Sequence, residues 1–387
     1  MSPGDVVKMY RELLSGIESS FQLHRDFSKL FIDWCDETGA RAHFVSWHPR
    51  REVFKHGRYI LENRPKPPMF FERGLKHYFG ELIYSLGIVW TALRERANLA
   101  IVDSGSAQWI VLSVLPLLGI PVIAVMHNTL WPAGFPPTRP AFRFLSSLDG
   151  FFFRHFAAAT VNVSPECERQ VRQAAGTPKG LMLQCRAQYR PGLLDQLSPP
   201  PAHSARPFRV IYLGRVEEYK GVFMILAMAE QLEKEFPGQF AWKIVGSGNA
   251  LEPLRIQAAK RKLSQVEITG RVTNEQVMEA LGWAHAMVAP TTSGFCEGLA
   301  MTAAEGVLAG RPVVLSTVVP AGEVLGDAAI VAQAEDVGSF VEAFRKLLTD
   351  RDYYERCQRA TKDAQGQFYD LSQGLGAVLG RAIAALD

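Results

Sequence analysis

The chain has 387 residues, with 42 lysines and arginines against 39 aspartates and glutamates, and a formal net charge of +3. This balance excludes a dedicated nucleic-acid binder, which carries a strongly basic domain or arm. The length exceeds one ordinary compact core, so two domains are expected. Five scattered cysteines without metal-type spacing indicate free thiols in a reducing compartment.

The start of the chain, "MSPGDVVKMYRELL", lacks the apolar core of a signal peptide and reads as helical. The longest apolar run, residues 110–126, is about the minimum length for a membrane span. Pro116, Gly119 and Pro121 divide it into a helix, a turn and a strand. We therefore expect a soluble, cytoplasmic protein.

The first half contains four stretches that predict strands, with helical segments between several of them. They are "RAHFVSW" (41–47), "LAIVDSG" (99–105), "PVIAVMHN" (121–128) and "AATVNVS" (158–164). No opening strand is evident before them. Residues 49–80 are aromatic, basic and proline-containing, and predict an irregular insertion rather than a core element.

A proline-rich connector, residues 195–208, predicts a domain boundary. After it, strand-like runs alternate with amphipathic helical stretches: "FRVIYLG", "FAWKIVGSG", "VEITGRV", "AMVAPT" and "PVVLST". Unbroken alternation predicts a doubly wound parallel sheet covered on both faces. The expected domains are 1–198 and 199–366, with ligands bound in the cleft at the carboxyl ends of the strands.

The loop after the first strand of the second domain contains two cations between glycines. Arg215 and Lys220 stand between Gly214 and Gly221, at the start of a helix. Glycines allow close backbone approach and a helix start offers N–H groups, so the loop suits an anion. A solvated surface turn explains the same residues equally well.

Two further glycine loops follow the next strands. Gly246 and Gly248 form "GSG", but Leu251 stands where a dinucleotide fingerprint needs its third glycine. A loop lining a phosphate or sugar pocket fits better than an NAD site. The turn from Gly270 to Val272 could face a base, or could need glycine only for its own conformation.

The stretch "TTSGFCEGLAMTAAEGVLAGRPVV" places Glu297 and Glu305 eight positions apart among small apolar residues. A regular helix would bring both to the cleft side, since eight residues add about 80° to two turns and span roughly 10–12 Å. Hydrolytic carboxylate pairs lie closer, at about 5–9.5 Å. The spacing therefore favours two handles on one extended ligand over a capping acid plus a solvated glutamate.

Four segments resemble, in order and spacing, the retaining GT-B glycosyltransferases of family 4. They are "GRVEEYKG", "VGSGNAL", "GRVTNEQV" and "CEGLAMTAAEGVLAGRPVV". The resemblance implies two Rossmann-like domains and a nucleotide sugar held between them. It assigns Arg215 and Lys220 to the diphosphate, Glu297 to the sugar and Glu305 to the ribose. The other implied donor-side residues are Gly16, Gly214, Gly246, Gly248, Arg271, Val272, Gly298 and Leu299.

In the first half the resemblance is thinner. His127 matches a histidine that ends a strand near the reacting centre, with a structural histidine as the alternative. Ser164 would close the cleft wall, and Gly16 alone represents the usual opening glycine pair. Residues 367–387 resemble a last helix that packs back on the first domain. Cys296 stands beside the donor-sugar position.

The implied function is a retaining transfer from a UDP- or GDP-sugar to a glycan, lipid-linked or small-molecule acceptor, in polysaccharide or glycoconjugate synthesis. No metal and no further cofactor are expected, because the chain lacks an Asp-x-Asp pair where it would be needed. Alternatives are a nucleotide-sugar epimerase and a non-catalytic sugar-nucleotide-binding protein. A dehydrogenase is the least favoured.

The acceptor side contains residues 135–156, in which Arg139, Arg143 and Arg154 alternate with phenylalanines. Such a surface could lie on the inner face of an anionic membrane and meet a lipid-linked acceptor. A partly buried helix with arginines at its rim is the favoured alternative.

Overall fold

The computed structural model describes residues 4–16, 27–72, 74–192, 194 and 197–386, which form three sheets surrounded by helices. Strands of the first part are β1 (Ala42–Trp47), β2 (Glu52–His56), β3 (Tyr59–Arg64), β4 (Ala100–Asp103), β5 (Val122–Met126), β6 (Ala157–Asn162) and β7 (Leu181–Gln184). Strands of the second part are β8 (Phe208–Leu213), β9 (Phe240–Val245), β10 (Val266–Gly270), β11 (Ala286–Ala289), β12 (Val313–Ser316) and β13 (Ala329–Ala332).

The helices alternate with these strands. In the first part they are α1 (Val6–Leu14), α2 (Phe27–Thr38), α3 (Leu75–Arg94), α4 (Trp109–Leu112), α5 (Val114–Leu117), α6 (Pro140–His155) and α7 (Pro165–Ala175). In the second part they are α8 (Val222–Glu235), α9 (Leu251–Lys260), α10 (Asn274–Trp283), α11 (Met301–Leu308), α12 (Ala321–Leu325), α13 (Val337–Thr349), α14 (Arg351–Gln365) and α15 (Leu375–Ala384).

The second part is built on a six-stranded parallel sheet in the order β10-β9-β8-β11-β12-β13. Its strands are apolar on both sides because helices cover both faces. Phe208 and Trp242 pack towards α8 and α13, whereas Ile211 and Met287 pack towards α10 and α11. The predicted doubly wound sheet is confirmed.

The first part contains a four-stranded parallel sheet in the order β4-β5-β6-β7. One face packs on a cluster that includes Phe152 of α6 and Val171 of α7. The other face packs on Leu375 and Leu379 of α15, which also contacts α2. The chain therefore returns from the second sheet to cover the first.

The prediction of an irregular insertion at residues 49–80 is wrong. β2 and β3 form an antiparallel hairpin around Gly57, and β3 pairs in parallel with β1. β3 is almost entirely buried, including the polar residues Glu62 and Asn63, so neither an apolar run nor a regular alternation marks it in the sequence. Before Ala42 the described residues form α1 and α2 and no strand, in keeping with the helical reading of the start.

The connector between the sheets is held by a buried arginine. Arg311 donates to the carbonyl oxygens of Ser198 at 2.9 Å, Gly282 at 3.0 Å and Ala284 at 3.2 Å. Burial lowers the pKa of Arg311 to about 10. The proline-rich connector is therefore hydrogen-bonded to the second part near the connector's own N-terminal end, at Ser198.

The apolar run at 110–126 folds as two short helices, α4 and α5, and the buried strand β5, as its proline and glycine positions predict. Within the described ranges, no helix is both long enough and apolar enough to cross a membrane.

A half-buried acid lies under α4. The Asp149 carboxylate of α6 faces the backbone N–H groups of Trp109 and Ile110. Burial raises its pKa to about 7, the N–H groups oppose this shift, and Glu81 adds to it. The folded chain therefore retains a proton that the unfolded chain loses near pH 4.

This proton makes stability fall as pH rises from about 4 to 7, because the folded state binds more protons in that window. Asp149→Asn is expected to be more stable than the parent chain at pH 8, by on the order of 2 kcal/mol. The difference in the free energy of unfolding between the variant and the parent chain should shrink towards pH 4. Urea unfolding across this range measures it, with exposed Asp363→Asn as the charge control. A difference that does not change with pH would contradict the prediction.

Candidate active site at the interdomain cleft

The candidate site lies at the point where the strand order of the six-stranded sheet reverses. β8 is the first strand of this sheet in the chain, and it has β9 on one side and β11 on the other. Connections that leave neighbouring strands in opposite directions open a crevice at their carboxyl ends. The loop after β8 brings Arg215 and Lys220 to this crevice, and the loop after β11 brings Glu297.

Lys220 and Glu297 form a buried ion pair across this crevice. The Lys220 ammonium donates a short hydrogen bond to the Glu297 carboxylate, and their side chains are only 15% and 10% exposed. The Thr291 hydroxyl donates to the same carboxylate at 3.3 Å. The sequence indicates both charged residues but not their mutual contact.

An aromatic pair lies beside the two cations, Arg215 and Lys220. It was not predicted from the sequence. The rings of Tyr219 and Phe295 stack with centroids 4.8 Å apart at 15°. The Arg215 guanidinium lies 5.7 Å and 5.6 Å from these rings, and the Lys220 ammonium lies 4.4 Å from Phe295. Cations are attracted to ring faces at such distances, so the pair orients both cations.

Three glycines stand side by side where β8, β9 and β10 end. The Gly246 N–H donates to the Gly270 carbonyl at 2.9 Å, and the Gly214 N–H donates to the Val245 carbonyl at 3.0 Å. A side chain on Gly246 would collide with the Gly214 carbonyl, and one on Gly248 with the Val216 carbonyl. Close backbone packing thus explains both. Beyond Gly270, Arg271 is exposed and Val272 is half-buried.

The prediction that one regular helix spans the segment from Glu297 to Glu305 is wrong. α11 begins at Met301, so residues 298–300 are not helical, and Ala300 has a left-handed backbone with φ of 67°. Glu305 is nevertheless buried on α11. Burial raises the pKa of Tyr189, and the charge of Glu305 adds to this, so the two side chains are neighbours.

The first domain approaches the site at Gly298. A side chain at Gly298 would collide with the carbonyl oxygen of His127, which follows β5. The Cys167 thiol lies 3.9 Å from the Gly298 carbonyl, and Ser164 accepts a hydrogen bond from the Cys167 N–H at 3.3 Å as the cap of α7. His127, Ser164 and Gly298 therefore meet at one interdomain contact, with Leu299 buried next to it.

A group of polar residues near His127 was not identified from the sequence. Asp103 ends β4 and accepts a short hydrogen bond from Ser106. Burial raises the pKa of Asp103, while His127 and the Ser106 hydrogen bond oppose that shift. Lys66 lies beside them, 3.4 Å from the Gly105 carbonyl and 3.8 Å from the centroid of the Phe70 ring. The position of Asp103 at the carboxyl end of a predicted strand could have identified this group from the sequence.

Two other predicted residues have different surroundings. Gly16 is exposed where α1 ends and has φ of 68°, and no described contact joins it to the residues around Glu297. Cys296 contacts Thr129 of the first domain, and burial raises the pKa of its thiol to about 11. Within the described residues, no cluster of three His, Cys, Asp or Glu side chains could hold a metal ion.

Two parallel-sheet domains that meet at this cleft define the GT-B fold, and solved structures agree. Sucrose-phosphate synthase from Thermosynechococcus elongatus superposes with a TM-score of 0.70 at 15% identity, covering 93% of this chain and 92% of that one. Anabaena HepE in complex with UDP and glucose gives a TM-score of 0.63 at 16% identity, covering 92% and 95%. These likenesses show the fold.

Sequence comparison gives matches to parts of the chain. Residues 195–364 match the model of the family "Glycosyl transferases group 1". A glycogen synthase of Mycobacterium tuberculosis is 29% identical over 167 residues, which are 42% of this chain and 39% of that protein. An uncharacterized glycosyltransferase of Methanocaldococcus jannaschii is 23% identical over 144 residues, 37% of this chain and 38% of that protein. The chain thus spans less than half the length of these relatives.

Ala300→Gly should change the free energy of unfolding by less than about 1 kcal/mol, because relief of the left-handed backbone strain offsets the loss of a buried methyl group. Ala303→Gly, in the regular part of α11, should instead cost about 1–2 kcal/mol through lost helix propensity and a lost methyl group. Urea unfolding of both variants tests the difference. Equal destabilisation would show that Ala300 stores no strain.

Gly298→Ala should separate the two domains slightly, because the new methyl group would collide with the His127 carbonyl. We expect the free energy of unfolding to fall by about 1–3 kcal/mol, because an overpacked contact forces the backbone to shift. Gly294→Ala in the same loop has room for its methyl group and is the matched control. Urea unfolding of the two purified variants should show this difference, and equal free energies of unfolding would contradict this role of Gly298.

Proposed function

We propose that this chain is a retaining glycosyltransferase of the family 4 type that moves a sugar from a nucleoside-diphosphate sugar to an acceptor hydroxyl. The observation that carries the proposal is the buried pair of Lys220 and Glu297 at the strand-order reversal, beside Arg215. A cationic site beside a buried carboxylate suits a donor with an anionic diphosphate and a hydroxylated sugar.

Arg215 and Lys220 would stabilise the charge that grows on the departing diphosphate, which is where preorganised cations lower the barrier most. The stacked rings of Tyr219 and Phe295 hold these cations in place before the donor arrives. Glu297 would orient the sugar hydroxyls, and Lys220 would then be shared between that carboxylate and the phosphate. Glu305 would take the ribose hydroxyls.

Arg271 and Val272 would border the nucleotide base, since their loop follows β10 at the same edge of the sheet. Gly214, Gly246 and Gly248 would let the backbone approach the donor. His127, beside Gly298, would face the acceptor side of the reacting sugar. In the retaining mechanism that we propose, the departing phosphate removes the acceptor proton on the same face of the sugar, without a metal ion or a protein nucleophile.

The names of related proteins support a nucleotide-sugar donor. Anabaena HepE is described in complex with UDP, and a structure from Burkholderia xenovorans with a TM-score of 0.70 is a UDP-forming trehalose-phosphate synthase. Both superpose on this chain at no more than 15% identity. A UDP-sugar is therefore the first donor to test, with GDP-sugars next.

The test is a panel of UDP- and GDP-sugars, first screened by thermal shift because a bound donor stabilises the fold. Release of the free nucleoside diphosphate, with and without candidate acceptors, then measures turnover. An isomeric nucleotide sugar without such release would instead identify an epimerase. Tight donor binding without hydrolysis or transfer would favour a non-catalytic binding protein.

Glu297→Gln and Lys220→Ala should each lower turnover at least about a hundredfold, because each removes a charge from the proposed site. Lys220→Ala should also destabilise the fold by about 3 kcal/mol, since it leaves a buried carboxylate unpaired. Glu297→Gln preserves shape but leaves the Lys220 ammonium buried without its carboxylate, so it should also lose stability. Near-normal turnover of either variant would remove these residues from the site.

Glu62→Gln is the matched control for a buried glutamate paired with a cation. Glu62 accepts two hydrogen bonds from Arg64, at 2.7 Å and 2.8 Å, within the sheet of β1, β2 and β3. This variant should lose stability but retain turnover per folded molecule. A stability loss shared by all variants, with equal turnover loss, would indicate that folding rather than chemistry explains the result.

A further inference from the structure

Lys66 places a positive charge at the carboxyl end of β4 without an ion-pair partner. Its half-buried ammonium lies 3.4 Å from the Gly105 carbonyl, and no acidic side chain of the described residues forms an ion pair with it. Burial lowers the pKa of this ammonium, while Glu81 and Asp103 oppose that shift. Because a cation removed from water needs an opposite charge to compensate it, this position favours a bound anion.

The two acids nearest in charge to Lys66 are engaged elsewhere. Glu81 of α3 accepts a hydrogen bond from the Gln108 amide at 3.3 Å. Asp103 accepts the short hydrogen bond from Ser106, and burial raises the pKa of Asp103, which disfavours its charged form. Neither acid therefore replaces a direct counter-charge at the ammonium.

Three aromatic rings enclose the Lys66 ammonium, and one of them has an unused donor. The ring centroids of Phe70, Tyr84 and Trp47 lie 3.8 Å, 5.5 Å and 5.6 Å from the ammonium nitrogen. The Trp47 indole N–H is buried and has no hydrogen-bond acceptor among the described residues. Ring faces attract a cation but do not accept its N–H groups as an oxygen does. Lys66 and Trp47 thus lack the same kind of partner, and these four residues are called the Lys66 subsite below.

The backbone around the Lys66 subsite is fixed before any ligand binds. Pro65 and Pro67 flank Lys66, and Pro67 has an extended backbone with φ of −55° and ψ of 145°. Proline fixes its own φ and also restricts the residue before it. α3 holds the next turn closely, since a side chain at Gly80 would collide with the Phe70 backbone. A preorganised cation loses little freedom when it binds a ligand.

The Lys66 subsite adjoins the residues that meet the second domain. The loop after β4, which contacts Lys66, also contains Ser104, whose hydroxyl accepts a hydrogen bond from the Asn128 N–H at 2.9 Å. Asn128 follows His127, whose carbonyl closely approaches Gly298. The unpaired cation therefore lies on the first-domain side of the candidate site.

We propose that the Lys66 ammonium and the Trp47 indole N–H bind an oxyanion, and that this oxyanion is a phosphate or carboxylate group of the acceptor. The second part rests on the proposed function, which places the acceptor on the first domain beside His127. An anionic group held at Lys66 fixes one end of the acceptor and leaves a hydroxyl elsewhere on the molecule for the donor sugar. The acceptor class is thus a hydroxylated molecule that also carries a phosphate or a carboxylate.

The test follows the Trp47 indole N–H by NMR in the isotope-labelled chain, without donor. The chain is titrated with sodium phosphate or sodium acetate, and sodium chloride keeps the ionic strength constant. The chain has seven tryptophans, and Trp47→Phe identifies the Trp47 cross-peak by its disappearance. We expect a saturable shift of this cross-peak, because an oxygen that accepts the N–H changes its surroundings. A stronger response to phosphate assigns a phosphate-bearing acceptor, and a stronger response to acetate assigns a carboxylate.

Lys66→Met keeps a long side chain among the rings and removes the charge. The anion concentration at the midpoint of the Trp47 shift should rise at least about tenfold in this variant, since charge-assisted hydrogen bonds are the strong ones. Phosphate bound at Arg215 and Lys220 of the second domain would be unaffected by this change, so the comparison separates the two sites. The other six indole cross-peaks show whether the variant is folded.

Lys243→Met is the matched control. Lys243 also lies over a tryptophan ring, 4.8 Å from the centroid of Trp283, but its ammonium is already paired with Glu267 at 3.1 Å. This variant should respond to anions like the parent chain. Equal midpoints in Lys66→Met and the parent chain would overturn the proposal. If Lys66→Met does not fold, the parent titration decides alone, because a Trp47 cross-peak that does not shift also overturns it.

The link to the acceptor is measured separately in an active chain. At saturating donor, inorganic phosphate should raise the KM of the acceptor and leave kcat unchanged, because the two compete for Lys66. An unchanged KM at phosphate concentrations that saturate the Trp47 shift would overturn the acceptor assignment. Anion binding without any donor turnover would instead refute the proposed function and keep the anion site. Turnover without a Trp47 response would keep the transferase and overturn the anion site.

Discussion

The buried ion pair of Lys220 and Glu297 depends on one topological fact, that β8 and β11 are neighbours although the chain visits β9 and β10 between them. Only this arrangement brings two loops 77 positions apart to the same crevice. A buried ion pair contributes little stability compared with apolar packing of similar volume. The stacked Tyr219 and Phe295 rings lie beside the same cations, so the aromatic pair and the ion pair form one cluster.

The sequence predicts the second domain well because its strands are buried on both faces. β8, β9 and β11 are short apolar runs with clear ends, and helices of regular amphipathic spacing separate them. β2 and β3 were missed because charged and polar residues, including the buried Glu62, interrupt any apolar run. β7 and β13 were missed because they are partly exposed edge strands, with Leu181 and Val331 on the surface. Sequence periodicity therefore predicts poorly the strands that contain polar residues or lie half-exposed at a sheet edge.

The candidate site was predicted as a set of residue types but not as a geometry. Arg215, Lys220 and Glu297 follow strand ends and could be identified there, whereas the partners that orient them come from distant loops. The spacing of Glu297 and Glu305 misled because the left-handed backbone at Ala300 delays the helix to Met301. Asp103 was missed although it ends a predicted strand, and Lys66 was missed because a single lysine in a loop has no distinguishing pattern.

The approach of Gly298 to the His127 carbonyl links the position of the first domain to the loop that follows β11. Gly298 directly follows Glu297, so a shift of the first domain at His127 acts on the segment that contains this carboxylate. Cys296, on the other side of Glu297, contacts Thr129 of the first domain. The Glu297 carboxylate is thus flanked by two interdomain contacts, one on each side. A displacement of the first domain would therefore act on the Glu297 loop at both of them.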